Sequence, residues 1–426
     1  MDQSRFDNRY IPVDLAVERL GVRAATLYSY VSRGLVRTIP GSDARSRLYS
    51  VADLERLRTR RDARRGHAAV AAAALSFGEP ILESSITSIE SGGPVYRGKP
   101  AQALAEQGAS FESVAELLWT GVLNPDARME LAPRRFARAR LAALLPDRPR
   151  PFDPLLLAVP ALAFDDVDRF DTRTVSTLRQ GRALLPELAS SLALGSGRAS
   201  KRATGRGGIA RTAARALGVR ETSRAVGAIN RALVLSADHE LNASTFAARV
   251  AASAGSDLYA CLSAALATLS GPRHGGECDR VESLLMEARG ARSGQEVVRG
   301  RLRRGELICG FGHPLYPEGD PRGRLLLALA GQLAPRRAGV AIALELARVM
   351  RRTTGEGPTL DFGLVALANA LGAPAGSALA LFALGRLAGW IAHVLEQRES
   401  GALLRPRARY VERRQVPSGE GTRVEA

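Results

Sequence analysis

From residue 101 onward, apolar side chains recur every three or four positions through 101–120, 129–145, 173–194, 222–235, 245–269, 279–299, 322–333, 336–352, 360–371 and 376–396. That spacing puts them on one face of an α-helix, whereas a half-buried strand alternates every second residue. Gly92-Gly93-Pro94, Pro149-Arg150-Pro151, Gly205-Arg206-Gly207-Gly208, Gly271-Pro272 and Gly355-Glu356-Gly357-Pro358 punctuate the run with turn chemistry. Only Ser85-Ile86-Thr87-Ser88-Ile89 with Pro94-Val95-Tyr96-Arg97 has a strand period, suiting a small hairpin. An all-α fold is expected for this part of the chain. The arginine- and glycine-rich run 195–211 reads as a solvated loop, with phosphate contact as the alternative.

A chain of 426 residues has room for roughly two or three domains, and the first 65 residues stand apart. Leu15, Ala16 and Leu20 share one helix face, Leu27 and Val31 another, with Gly21 at the turn between them. Gly34 closes the second helix, Leu35-Val36 is extended, and Pro40-Gly41-Ser42 turns the chain toward Arg45, Arg47, Leu48 and Tyr49. Ser50 and Asp53 suit the start of a third helix over 51–65. Residues 67–80, rich in alanine, suit a helical linker, and the arginines of 60–65 a solvated face.

No apolar stretch of about 18 residues is evident, so no membrane span is expected. The first residues lack the apolar segment of a secretory signal, and Cys261, Cys278 and Cys309 are too scattered for a disulfide framework or a metal site. The expected setting is cytoplasmic. A net charge of +17 points toward nucleic acid, but lysine occurs only at 99 and 201. An arginine skew of that kind follows codon bias as readily as function, so local arrangement must decide.

Four of the five histidines lie in short motifs: Asp238-His239-Glu240-Leu241-Asn242, Gly271-Pro272-Arg273-His274-Gly275-Gly276, Gly310-Phe311-Gly312-His313 and Gly389-Trp390-Ile391-Ala392-His393. Two of these are glycine-rich turns, where backbone can approach a ligand closely. His393 lies on a helix face and reads as structural. The others read as one site.

Residues 21–30, Gly34-Leu35-Val36 and Arg47-Leu48-Tyr49 resemble the winged helix-turn-helix of MerR-type and excisionase-type DNA-binding domains. The resemblance implies a module over 1–66 that binds double-stranded DNA through Arg23, Thr26, Tyr28, Arg33, Arg45 and Arg47. A helical appendage used for dimer contacts is the alternative.

From about 81 to 415 the motifs, in chain order, resemble the citrate synthase family. They are 84–89 with Tyr96-Arg97-Gly98, 111–118, 236–245, the two glycine-rich histidine turns, Gly319-Asp320-Pro321-Arg322, Leu360-Asp361-Phe362, 386–393 and Arg405-Pro406-Arg407. The resemblance implies a large helical domain (81–276 and 369–415), a small one (277–368) and a tail (416–426), closing over oxaloacetate and acetyl-coenzyme A. It implies Asp361 as base, His274 as donor to the thioester oxygen and His313 as the group that polarises the ketone. His239, Arg322 and Arg386 would bind substrate, with Arg405 supplied by the second subunit of a homodimer. No cofactor or metal is required.

Propionyl-coenzyme A, giving 2-methylcitrate, is the alternative substrate. A transcriptional regulator whose synthase-like domain senses oxaloacetate or an acyl-coenzyme A is the alternative function. The chain departs from the family at Glu277-Cys278, where Ala and Asn are usual, and at Arg273; both can alter hydrogen bonding around His274.

Overall fold

The computed structural model describes residues 10–40, 46–51, 53–54, 57, 82–129, 138–194, 207–291, 293–316 and 318–406. Arg45, the 67–80 linker, the 416–426 tail and most of the expected third helix lie outside them.

The front module has helices Val13–Leu20 and Ala24–Ser32 and three short antiparallel strands, with Arg47–Ser50 between Tyr10–Pro12 and Thr38–Pro40. Gly21 takes the left-handed conformation at the end of the first helix (φ 58°), which glycine adopts without a Cβ clash. Ile11, Ala16, Leu20, Leu27, Val36, Tyr49, Val51 and Leu54 form a core distinct from that of the remaining chain. Asp53, buried, accepts from Arg37 N at 2.9 Å and Arg37 Nε at 3.0 Å, tying the strand side to the helix side.

Beyond residue 86 the chain is mostly helical, with the hairpin Thr87–Glu90 and Gly93–Tyr96 extended by Lys99–Pro100. The helical class agrees with the expectation, and the expected hairpin forms the one sheet of this part of the chain among the described residues.

Several long periodic runs divide. The 101–120 run becomes Ala101–Glu106 and Phe111–Thr120, the 245–269 run Ala243–Ser253 and Leu258–Leu269, and the 279–299 run Glu277–Gly290 and Gly294–Arg303. Local caps outweigh periodicity here: Ser110, Asp257 and Ser293 each accept from a backbone N–H and start a new helix. Of the 129–145 run, only Arg138–Ala142 is helical among the described residues. Two helices were not expected. Asp153–Asp165 is apolar nearly all round and contains Pro160, and Gly208–Ala216 begins inside the stretch read as a loop.

Helix Ser377–Ser400 is central to the helical part of the chain. It packs against Phe111–Thr120, Thr174–Ser191, Ser223–Ser236, Ala243–Ser253, Leu258–Leu269 and Leu360–Leu371. By length and composition it is apolar enough to cross a membrane, a property the sequence reading overlooked. Its apolar window is 94% buried by other helices, the environment of a core helix in a large domain. In the second helical layer, Pro321–Leu333 packs on Leu360–Leu371, and Ala338–Thr353 and Glu277–Gly290 pack on the same helix. The site lies where these layers and the central helix meet.

Candidate active site

Helix Ser223–Ser236 ends at Ala237, and the next begins after Asn242, whose Oδ1 accepts from Thr245 N at 3.2 Å. The intervening turn carries His239. Asp238, fully buried, accepts from Glu240 N at 3.1 Å, and Glu240 itself sits at φ 55°, a conformation that side-chain-bearing residues seldom adopt. His393 Nε2 lies 3.4 Å from Asp238 Oδ2, and Arg249 Nη1 lies 3.4 Å from His393 Nδ1. His393 is thus a buried strut between the central helix and the His239 turn.

His274 rides a turn closed by Gly276 N to Gly271 O at 3.1 Å. A Cβ on Gly275 would sit 2.6 Å from Leu379 Cδ1 and 2.8 Å from Leu269 O, so only glycine lets this turn pack there. The His313 loop has the same requirement: Gly310 is left-handed (φ 81°), and a Cβ there would meet Val281 Cγ2 at 2.7 Å. Asp361 is the second residue of helix Leu360–Leu371. The cap is Thr359, whose hydroxyl accepts from Phe362 N at 3.4 Å, so Asp361 itself is not the cap.

His239 and His313 meet edge to face with ring centroids 5.6 Å apart. Tyr316 completes the group: its hydroxyl is 2.8 Å from His239 Nε2, and its ring lies 5.1 Å from that of His313. Arg322 Cζ stands 5.8 Å over the Tyr316 ring. Arg322 is buried and doubly bonded to Asp320, Nη2 to Oδ2 at 2.7 Å and Nε to Oδ1 at 3.0 Å. Its Nη1 is buried with no hydrogen-bond partner among the described residues. Arg386, also buried, donates from Nε to Ser236 O at 2.8 Å and stacks 4.8 Å from the Phe382 ring, against which His274 also packs edge-on.

Burial controls the charges. Desolvation, reinforced by Arg386, lowers His274 to a pKa of about 4. Desolvation and Arg322 lower His313 to about 4 against the opposing pull of Asp320. His239 falls well below its usual value for the same reasons, with His313 and His274 adding to Arg322 and Arg386. All three imidazoles are therefore neutral near pH 7. Asp361 moves the other way: desolvation first, then the charge of Glu277, raise it to about 7. Burial lowers Arg386 to about 10, with Asp238 opposing. Asp320 offsets the desolvation of Arg322, which stays firmly charged.

His313 Nδ1 accepts from Leu315 N at 3.2 Å, so the proton of its neutral ring is on Nε2. His274 Nε2 is 2.7 Å from Ser244 Oγ, which donates to Asn242 Oδ1 at 2.7 Å and accepts from Trp390 Nε1 at 3.2 Å. The single hydroxyl proton of Ser244 therefore governs which nitrogen of His274 is the donor.

Six of the seven residues read from the sequence fall in this region: His239, His274, His313, Arg322, Asp361 and Arg386. Arg405 is exposed in the extended segment after the central helix, and none of the contacts above reaches it. Tyr316, Ser244, Asp320 and Phe382 were given no role from the sequence. Asp320 and Ser244 stood within quoted motifs, whereas Tyr316 and Phe382 carried no signal beyond their neighbours. In the front module Arg23, Thr26, Tyr28, Arg33 and Arg47 are all exposed. A separate cavity of about 740 Å³, lined by Tyr10, Ile39 and Leu48 and by Arg299, Leu302 and Met350, includes none of the acid–base residues.

A helical domain gathering a carboxyl near neutrality, neutral imidazoles and buried guanidinium groups has the equipment of an acid–base enzyme for an anionic substrate. The family described as citrate synthase, C-terminal domain, matches residues 76–407. A citrate synthase from Mycolicibacterium smegmatis is 35% identical over 330 residues, covering 74% of this chain and 88% of the relative. A 2-methylcitrate synthase from Mycobacterium tuberculosis is 33% identical over 342 residues, covering 74% and 84%. Among solved structures, citrate synthase from Thermotoga maritima superposes with a TM-score of 0.67 at 30% identity, over 80% of this chain and 95% of that one. The ternary complex of carboxymethyl coenzyme A and oxaloacetate with citrate synthase from Thermoplasma acidophilum superposes with a TM-score of 0.68 at 26% identity, over 80% and 97%. The chain belongs to the citrate synthase family, and it is an enzyme of that family.

Proposed function

We propose that the chain condenses acetyl-coenzyme A with oxaloacetate, and that water then releases citrate and free coenzyme A. The observation that carries this reading is the buried Arg322 Nη1, an unmatched donor beside His239, His313 and Tyr316. A guanidinium desolvated in this way suits a substrate carboxylate, since arginine offers fixed paired donors and an empty one is costly. Arg386 supplies a second cation.

Asp361, near 7, takes a proton from the thioester methyl group. His274 donates to the thioester oxygen as the enolate forms, through Nδ1 when Ser244 turns its single hydroxyl proton from Asn242 Oδ1 to His274 Nε2. The enol carbon attacks the ketone carbon of oxaloacetate, and His313 Nε2–H protonates the developing alkoxide. Hydrolysis of the citryl thioester returns the thiol. Side chains supply all the acid–base chemistry, so no cofactor or metal enters. Arg405, exposed on its own chain, suits a contribution to the site of a second subunit in a homodimer.

The test is free-thiol release from acetyl- and propionyl-coenzyme A with oxaloacetate present. Release that depends on oxaloacetate is the expected result, and the preferred thioester distinguishes citrate from 2-methylcitrate synthesis. Absence of release with either, in folded protein, would overturn the reading in favour of a ligand-sensing regulator.

We infer a second role for the front module, double-stranded DNA binding, because its exposed Arg23, Arg33 and Arg47 flank a helix with Thr26 and Tyr28 exposed. Fluorescence anisotropy with duplex pools should show binding whose log affinity falls with log salt by about 0.9 per phosphate contacted. Arg23→Ala and Arg33→Ala should each flatten that slope. Absence of binding at low salt would instead leave the module an oligomerisation element.

A further inference from the structure

The three segments carrying His274, His313 and Asp361 are cross-linked by a short ring of hydrogen bonds. Helix Glu277–Gly290 starts three residues after His274, with Glu277 N donating to His274 O at 3.0 Å and Cys278 N to Gly275 O at 3.1 Å. Glu277 Oε1 accepts from Gly310 N at 2.7 Å, at the head of the His313 loop, and Arg280 Nη1 holds Oε2 at 3.0 Å. Gly310 O accepts from Thr359 N at 2.8 Å, and Gly312 N donates to Gly357 O at 3.2 Å. Thr359 caps the helix that presents Asp361. The ring closes through Cys278, whose Sγ donates to Asp361 Oδ1 at 3.3 Å. The adjacent side chains of Glu277 and Cys278 thus hold the backbone of one of these segments and the carboxyl of another.

We propose that Glu277 and Cys278 are positioning residues for Asp361: the Cys278 thiol holds its carboxyl by a direct hydrogen bond, and Glu277, fixed by Gly310 N and Arg280, sets a nearby negative charge that opposes it. The proposal rests on the reading of Asp361 as the base. Cys278 is fully buried, and burial with the Asp361 charge raises its thiol well above the ordinary range, so it stays protonated and can only donate. Its hydrogen bond favours the ionised carboxylate, while Glu277 disfavours it. The other charges bearing on Asp361 are Arg322, which favours ionisation, and Arg386, from the central helix. Asp279 and Glu282 bear on the thiol. Burial raises the carboxyl most, and Glu277 and Cys278 adjust it in opposite directions around the range where a base works at neutral pH.

The charge and the hydrogen bond predict shifts of opposite sign. Glu277→Gln keeps an oxygen for Gly310 N but removes the charge, so the acid limb of kcat/KM for the thioester should move down by about one pH unit. Cys278→Ala removes the donor, so the limb should move up; Cys278→Ser, which restores a hydroxyl donor, should return it toward the native position. If both variants lose rate with the limb unmoved, their role is packing alone and the proposal fails. Asp361→Asn separates the two readings. An Asp361→Asn enzyme with native turnover would remove Asp361 as base, whereas an inactive one with unmoved limbs in the other variants would overturn only this inference.

Discussion

Asp361→Asn should lower turnover by a factor of about 10² to 10⁴, the usual contribution of a positioned general base, while leaving oxaloacetate binding nearly intact. Asparagine preserves the volume of the side chain, and its carbonyl oxygen can still accept from Cys278, so the ring around the site need not reorganise. It cannot accept the thioester proton. Stopped-turnover assays should show the loss in kcat, and calorimetric titration with oxaloacetate should show little change in affinity. A loss of affinity equal to the loss of rate would mean that Asp361 holds substrate and does not abstract its proton.

The same variant should be more stable than the parent at alkaline pH. The carboxyl is raised from 3.8 to about 7 by burial and Glu277, so the folded state binds more protons than the unfolded state between those values. Stability therefore falls as pH rises through that window, and it falls further for the parent than for the asparagine variant. Thermal denaturation at pH 4 and pH 8 should show the gap in Tm opening on the alkaline side. A carboxyl kept buried at a cost in stability is the pattern of a group retained for chemistry.

Arg322→Met should have the second large effect, on both binding and folding. Its guanidinium pairs with buried Asp320 at 2.7 Å and 3.0 Å. Removing one member of a buried pair leaves the other uncompensated and typically costs about 3–5 kcal/mol. Asp320 is held below its usual range because Arg322 outweighs desolvation, so its contribution is present above the unfolded carboxyl pKa and lost as pH falls through the folded one. In the single variant that acid-side loss should vanish, and Asp320 should become easier to protonate. The double variant Asp320→Asn/Arg322→Met should recover much of the stability by removing the orphaned charge. It should not recover substrate binding: loss of a charge-assisted contact to a carboxylate should raise KM for oxaloacetate about 10- to 100-fold. Recovery of KM in the double variant would mean that Arg322 matters only for folding.

Much of the helical framework could be read from local chemistry. Apolar periodicity marked the segments that became Thr174–Ser191, Ser223–Ser236, Pro321–Leu333, Ala338–Thr353 and Leu360–Leu371, because an amphipathic face must be buried wherever the helix docks. The hairpin at Thr87–Glu90 was visible in its alternation and its Gly-Gly-Pro turn. Division of the longer runs depended on single caps such as Asp257, whose influence is one turn long and is averaged away in a wide window. Helix Gly208–Ala216 was hidden because alanine and arginine next to glycines look the same in a loop.

The candidate site divides along the same line. Histidines in glycine turns stood out by residue type and setting, whereas Asp361 and the arginines were named only through the resemblance to the family, because arginine is common throughout the chain. Which groups press on them was not legible. Tyr316 touches His239 across 77 positions, and Cys278 reaches Asp361 across 83. A thiol becomes the partner of a carboxyl only when two helices pack side by side, and a carboxyl titrates near 7 only when that packing excludes water and keeps Glu277 close. Residue identity and order thus determined the helical class and the chemical groups available. Tertiary packing alone decided their neighbours, their exposure to water and therefore their protonation, because desolvation and charge–charge coupling depend on distance in space and not along the chain.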